Sequence, residues 1–192
     1  VAKGFRRTRR GIRARLDDNE RGLLAHLLVE VHELLDDDAG PGDDDPLAQL
    51  VGIGTAVEPP SDPALARLLP DAHRDDPEAA AEFRRYTESG LRERKRAGLE
   101  VARRTLGRDG ALLLDDDEAR AWVVALTDVR LVLASRMGLE VDEDHERLEA
   151  LADEQDSDEP GGLGFLLAVY DFLTWLQETL VEALLEPLPD GS

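Results

Sequence analysis

The 192 residues contain no cysteine. That one absence removes disulfides, thiolate metal sites and thiol redox switches together. Aromatic residues are 4% of the chain, so a core has to be filled by Leu, Val and Ala. Lysine occurs only as Lys3 and Lys95, which leaves nearly all positive charge to arginine. This Arg- and Ala-rich usage fits a GC-rich genome, in which Val1 reads as a GTG start codon. No apolar run reaches the ~18 residues of a membrane-spanning helix. Residues 1–16 are charged throughout and lack the apolar stretch of a signal peptide, so a cytoplasmic location is expected. No phosphate loop, GxSxG elbow, HExxH motif or paired-glycine dinucleotide fingerprint occurs. The expectation is a non-enzymatic protein with no catalytic residues and no cofactor.

Charge is what the chain has in abundance, and it is unevenly placed. Forty-three acids against 23 bases give a net charge of −20. The first 16 residues nevertheless carry seven bases and no acid (Lys3, Arg6, Arg7, Arg9, Arg10, Arg13, Arg15). The remainder therefore stands at −27, which repels nucleic acid over most of the surface. Phe5, Ile12 and Leu16, with Gly11 to supply a positive φ, predict a β-hairpin over residues 3–16. Two uses are open for its basic row. It can cover the hairpin by pairing with the acidic body, or it can dock an acidic partner. Arg6, Arg7, Arg9, Arg10, Arg13 and Arg15 are the candidate partner-binding residues.

The rest reads as helical, and the chain as a single domain over 1–192. Asp17 or Asp18 caps a helix whose leucines recur from Leu23 to Leu35. Asp62 with Pro63, and Asp76 with Pro77, begin two more in the same way, the second running to about Leu106. A bend is expected near Gly90 or Gly98. The bases of that helix (Arg92, Arg94, Lys95, Arg96, Arg103, Arg104) have Glu88, Glu93 and Glu100 as i, i+4 partners. Residues 111–114, ALLL, predict a short strand, for which a place as third strand beside the hairpin is open. The central core helix spans about 117–137. It is apolar on nearly every side, starts at the acidic cap 115–117 and stops at Gly138. The last helix, 163–185, presents Leu166, Val169, Leu173, Leu176, Leu180 and Leu184 on the face that packs along it. The fold class is thus mainly α, with five to six helices around a buried core helix and a small N-terminal β element. The acidic stretches 36–46 and 142–160 are expected to be mobile, 142–159 as a polar helix or a loose excursion, and a short helical piece is expected around Leu47, Leu50 and Val51.

Two charges inside the core helix need partners. Asp128 and Arg130 are two apart and point to opposite sides, so they do not pair with each other. Asp128 is expected to meet an arginine from another segment, and Arg130 an acid such as Glu30, Glu33 or Glu178. Both are read as structural buried polar residues that fix packing register. No metal site is expected. The DDD runs at 36–38, 43–45 and 115–117 lack a calcium-loop pattern. Histidines 26, 32, 73 and 145 are scattered, and His26 and His32 are six apart rather than four.

The segments DPALARLLPDAHRDDPEAAAEFRRYTESGLRERK (62–95), WVVALTDVRLVLASRMGL (122–139) and VYDFLTWLQETLVEAL (169–184), with the opening GFRR, are distinctive. They resemble an actinobacterial family catalogued as domain of unknown function number two thousand and seventeen. Its genes often lie beside that of the Clp protease adaptor. The resemblance covers nearly the whole chain, apart from 36–46 and 142–160. Thr127 stands where the family more often has Asn before the Asp. Members are described as oxidative-stress transcriptional regulators that act with an alternative sigma factor. Any thiol-based part of that regulation is closed to a chain without cysteine. The resemblance implies a cytoplasmic transcription- or stress-linked regulator acting through a protein partner such as a sigma factor or RNA polymerase. Two alternatives remain: an accessory factor of Clp-dependent proteolysis, resting on gene neighbourhood, and an enzyme, which would need a deep pocket at Asp128, Arg130 or a histidine. Direct DNA contact is disfavoured by the net charge, and homodimerisation through the last helix is a further expectation.

Overall fold

The hairpin forms as the alternation predicts. Strands β1 (Lys3–Thr8) and β2 (Gly11–Arg15) pair antiparallel, with Arg6 opposite Arg13, Arg7 opposite Ile12 and Lys3 opposite Arg15. The register shifts between Lys3 and Arg6. The ALLL segment supplies β3 (Leu112–Leu114), antiparallel to β2, giving the order β1-β2-β3. Gly11 makes this third strand possible. Its φ is +125°, and a Cβ there would lie 2.3 Å from the Leu114 carbonyl oxygen. The computed structural model describes residues 2–37, 60–72, 76–139, 142–154 and 161–187.

Six helices are described: α1 (Asp18–Asp37), α2 (Pro63–Leu68), α3 (Pro77–Leu106), α4 (Asp116–Met137), α5 (Asp142–Glu154) and α6 (Leu163–Leu185). Asp17, not Asp18, caps α1. Its carboxylate accepts from the Glu20 amide at 3.0 Å while Glu20 accepts from the Asp17 amide at 2.8 Å, a reciprocal capping box. Asp62 caps α2 by accepting from the amides of Ala64 and Leu65. Asp76 caps α3 by accepting from Ala79, and α3 continues unbroken through Gly90 and Gly98. Asp115 and Glu118 form a second capping box at the start of α4, and Gly138 ends that helix with φ +72°. A left-handed residue here satisfies the last carbonyls, and the Gly138 amide donates to Ala134 and Ser135.

Helix α4 is the hub. It packs against α1, α2, α3 and α6 and touches β2 and β3. Trp122, fully buried, donates its indole N–H to the Thr105 hydroxyl of α3 at 2.7 Å. Its ring meets Phe5 of β1 edge-on, with centroids 6.0 Å apart. These contacts join helix, helix and sheet at one point. The all-round apolar pattern overstates the enclosure, since Val124 remains 47% exposed. The α6 face packs as expected, with Val169, Leu173, Leu176 and Leu180 buried and Leu166 and Leu184 partly so.

Both sheet edges are occupied by side chains. The Phe5 amide of β1 donates to Thr179 Oγ1 of α6 at 3.1 Å. At the other edge, Arg108 donates to the Leu113 carbonyl at 3.2 Å. Such covering removes the template that a free edge offers to another strand. Of the acidic stretches, residues 142–154 are helical, with Leu148 buried. Residues 38–46, the helical piece expected around Leu47, Leu50 and Val51, His73, and residues 155–160 lie outside the described residues. Among the described residues, no helix is long and apolar enough to cross a membrane.

Candidate functional site

The period-2 alternation of the hairpin sorts its residues by face. Phe5, Ile12 and Ala14 point into the core. Lys3, Arg6, Arg13 and Arg15 are exposed and meet in cross-strand pairs, Arg6 with Arg13 and Lys3 with Arg15. Like charges set directly opposite one another are destabilising. Among the described residues, no ion pair offsets these four. Arg9 and Arg10 are exposed at the hairpin turn. Exposed Leu113 of β3 sits opposite Arg13 and adds an apolar element beside the cations. Lys3, Gly4, Arg6, Thr8, Arg13 and Arg15 line a shallow open depression on this face.

Arg7 does not belong to that surface. Its side chain is only 8% exposed, pairs with Asp116 at the start of α4, and donates to the Leu184 carbonyl of α6 at 3.3 Å. It bolts the hairpin to two helices. The second basic region, on α3, is largely neutralised. Arg92 pairs with Glu88 at 2.8 Å, Lys95 with Asp128 at 2.5 Å, Arg96 with Asp36 at 2.9 Å and Arg103 with Glu100 at 3.0 Å. The sheet face therefore holds four bases, Lys3, Arg6, Arg13 and Arg15, that make no ion pair among the described residues.

The two core-helix charges find partners, though not of the expected type. Asp128 is buried and meets Lys95 of α3, not an arginine. Burial pushes the Asp128 carboxyl above its ordinary 3.8, with the Lys95 ammonium pulling the other way. Its second oxygen has no hydrogen-bond partner among the described residues. Arg130 meets no acid among the described residues. It donates to Gln177 Oε1 at 2.9 Å and to the Tyr170 hydroxyl at 3.2 Å, and stacks 5.0 Å from the Tyr170 ring centroid. Gln177 in turn donates to Thr127 Oγ1 at 2.8 Å. Neutral acceptors and a ring face take up the two terminal nitrogens of this weakly hydrated, planar group, while its Nε is buried without a partner among the described residues.

One grouping escaped the sequence reading. His145 on α5 lies 3.1 Å from Asp171 on α6, and Glu149 is one turn along from His145. The signal that could have found it is the i, i+4 pair His145–Glu149. The pair is inconspicuous in so acidic a stretch, and Asp171 is remote in sequence.

Comparison with known proteins bears on the whole chain. Residues 2–184 match the family described as Domain of unknown function (DUF2017). A protein of Mycobacterium tuberculosis and one of Mycobacterium bovis, each named oxidative stress regulator AosR, are 34% identical to this chain over 190 residues. Those alignments cover 90% of this chain and 82% of each relative. No solved structure matches.

Proposed function

The chain belongs to the DUF2017 family, and from that membership we propose that it is a non-enzymatic, stress-linked regulator working in the cytoplasm through a protein partner. The names of its mycobacterial relatives support the stress-linked part. The observation that carries the docking part is the outer face of the sheet. Arg6 opposite Arg13 and Lys3 opposite Arg15 cost stability in the free protein. An acidic partner surface would relieve that repulsion. The partner we favour is an acidic surface of RNA polymerase or of a sigma factor. A partner of this kind brings a regulator to promoters without asking a body of charge −27 to approach DNA. The absence of cysteine makes the oxidant response of this chain, on this reading, one that does not pass through its own thiols.

The test is a quantitative pull-down from native lysate with the wild type beside a variant carrying Arg6→Ser, Arg10→Ser, Arg13→Ser and Arg15→Ser. Arg7 is left intact because it holds the fold together. Retention of RNA polymerase or a sigma factor by the wild type, and its loss in the variant, is the expected outcome. Retention of Clp components instead would transfer the reading to an accessory of proteolysis. Equal recovery by both baits would remove the sheet face as a docking surface.

A further inference from the structure

We propose that His145, Glu149 and Asp171 form a binding site for a first-row divalent transition-metal ion. One ligand atom from each of the three lies within 4.8 Å of the others. The spacing already present suits a metal. Bonds of ~2.1 Å put neighbouring donors about 3.0 Å apart in an octahedral site and about 3.4 Å apart in a tetrahedral one. His145 Nε2 and Asp171 Oδ1 are 3.1 Å apart, so an ion fits between them with little movement of either. Glu149, on the next turn of α5, is exposed and closes the third side by a rotamer change.

The surroundings fit the same use. An open depression is lined by Leu139, His145, Glu146, Glu149 and Tyr170, leaving room for water in the remaining coordination positions. Glu146 adds a further carboxylate at its wall. The imidazole is held on few contacts. Its edge meets the Tyr170 ring, with centroids 6.3 Å apart. Its Nδ1 is buried without a hydrogen-bond partner among the described residues. Nε2, the nitrogen that faces the Asp171 carboxylate, is the one placed to ligate, and no second partner on Nδ1 orients the ring. The donor set of one nitrogen and two carboxylates selects the metal class. Imidazole favours Zn²⁺, Fe²⁺, Ni²⁺ or Cu²⁺ over Mg²⁺, Ca²⁺ and Mn²⁺, and the lack of sulfur disfavours Cu(I). An ion here would clip α5 to α6, and through Tyr170 would reach the Arg130–Gln177–Thr127 chain of hydrogen bonds.

The test is calorimetric titration of the full chain with Zn²⁺, in 10 mM Mg²⁺ so that the general acidity of the surface is saturated. The same titration is run on His145→Gln, Glu149→Gln and Asp171→Asn, each checked for folding by circular dichroism. One Zn²⁺ per chain is expected in the wild type, weakened at least about tenfold in each variant. A Co²⁺-loaded sample should show d–d absorption bands that His145→Gln abolishes. Zn²⁺ binding that Mg²⁺ displaces, or that His145→Gln leaves unchanged, would overturn the site. These outcomes do not depend on whether the sheet face docks a partner.

Discussion

Single residues in this protein show how burial and pairing compete. Glu118 caps α4 and also pairs with Arg108 at 2.5 Å. The Arg108 hydrogen bond holds its carboxyl below the ordinary 4.5 against the opposing effect of burial. A folded-state pKa that is lowered gives stability that is present above about pH 4.5 and lost as pH falls through the folded value. Glu118→Gln should therefore lower the melting temperature at pH 7, with the gap to wild type closing as the pH drops below about 4.5. Thermal melts across that range check it. Asp128 has the opposite sign. Its raised pKa makes its contribution largest below about 3.8 and lost as pH rises through the folded value. At neutral pH the fold thus carries a buried charge that Lys95 must offset. Lys95→Met, which leaves that charge without its partner, should cost on the order of 3 kcal/mol. A double change, Asp128→Leu with Lys95→Met, should cost clearly less than the sum of the single ones. Additive losses in urea titrations would mean the pair is not coupled.

At the scale of elements, the ends were readable in the sequence, as was the apolar face of α6, and the polar meetings between helices were not. Asp62 before Pro63, Asp76 before Pro77, Asp115 and Gly138 are local signals whose hydrogen bonds form within one turn, so the bounds of α2, α3 and α4 follow from them. The third strand was legible because three leucines with no helical continuation have one place to go beside a hairpin. Which helix faces which is a different matter. That Asp128 would meet Lys95, that Arg130 would find Gln177 and Tyr170, and that His145 would stand opposite Asp171 depend on the rotation of each helix about its axis. Leucine and alanine faces specify that rotation weakly. Arg7 was grouped with the docking residues for the same reason, since an arginine in a basic row carries no mark of facing inward. One element is controlled by a single atom's width. Gly11→Ala would press a methyl group on the Leu114 carbonyl at positive φ. It should separate β3 from β2 at a cost on the order of 3 kcal/mol. Loss of amide-exchange protection in residues 112–114 would register the separation, and undiminished protection would contradict it.

The whole molecule is an acidic body with a cationic plate on one side. A plate of this kind gives long-range orientation, because opposite fields turn the protein before contact. Association through the sheet face should consequently slow several-fold between 50 and 300 mM salt, while dissociation changes little. Surface plasmon resonance against the captured partner distinguishes this from apolar docking, in which the association rate would hardly respond.

The contacts of β1 with α6 also govern the order in which the protein can be completed. Phe5 and Arg7 wait for Thr179 and Leu184, which follow by some 170 residues. At roughly 5–20 residues per second of translation, the opening hairpin stands without its closing helix for about ten to thirty seconds. The last helix is then a latch as much as a wall: its arrival supplies the acceptors at Thr179 and Leu184 that fix the hairpin in the native topology.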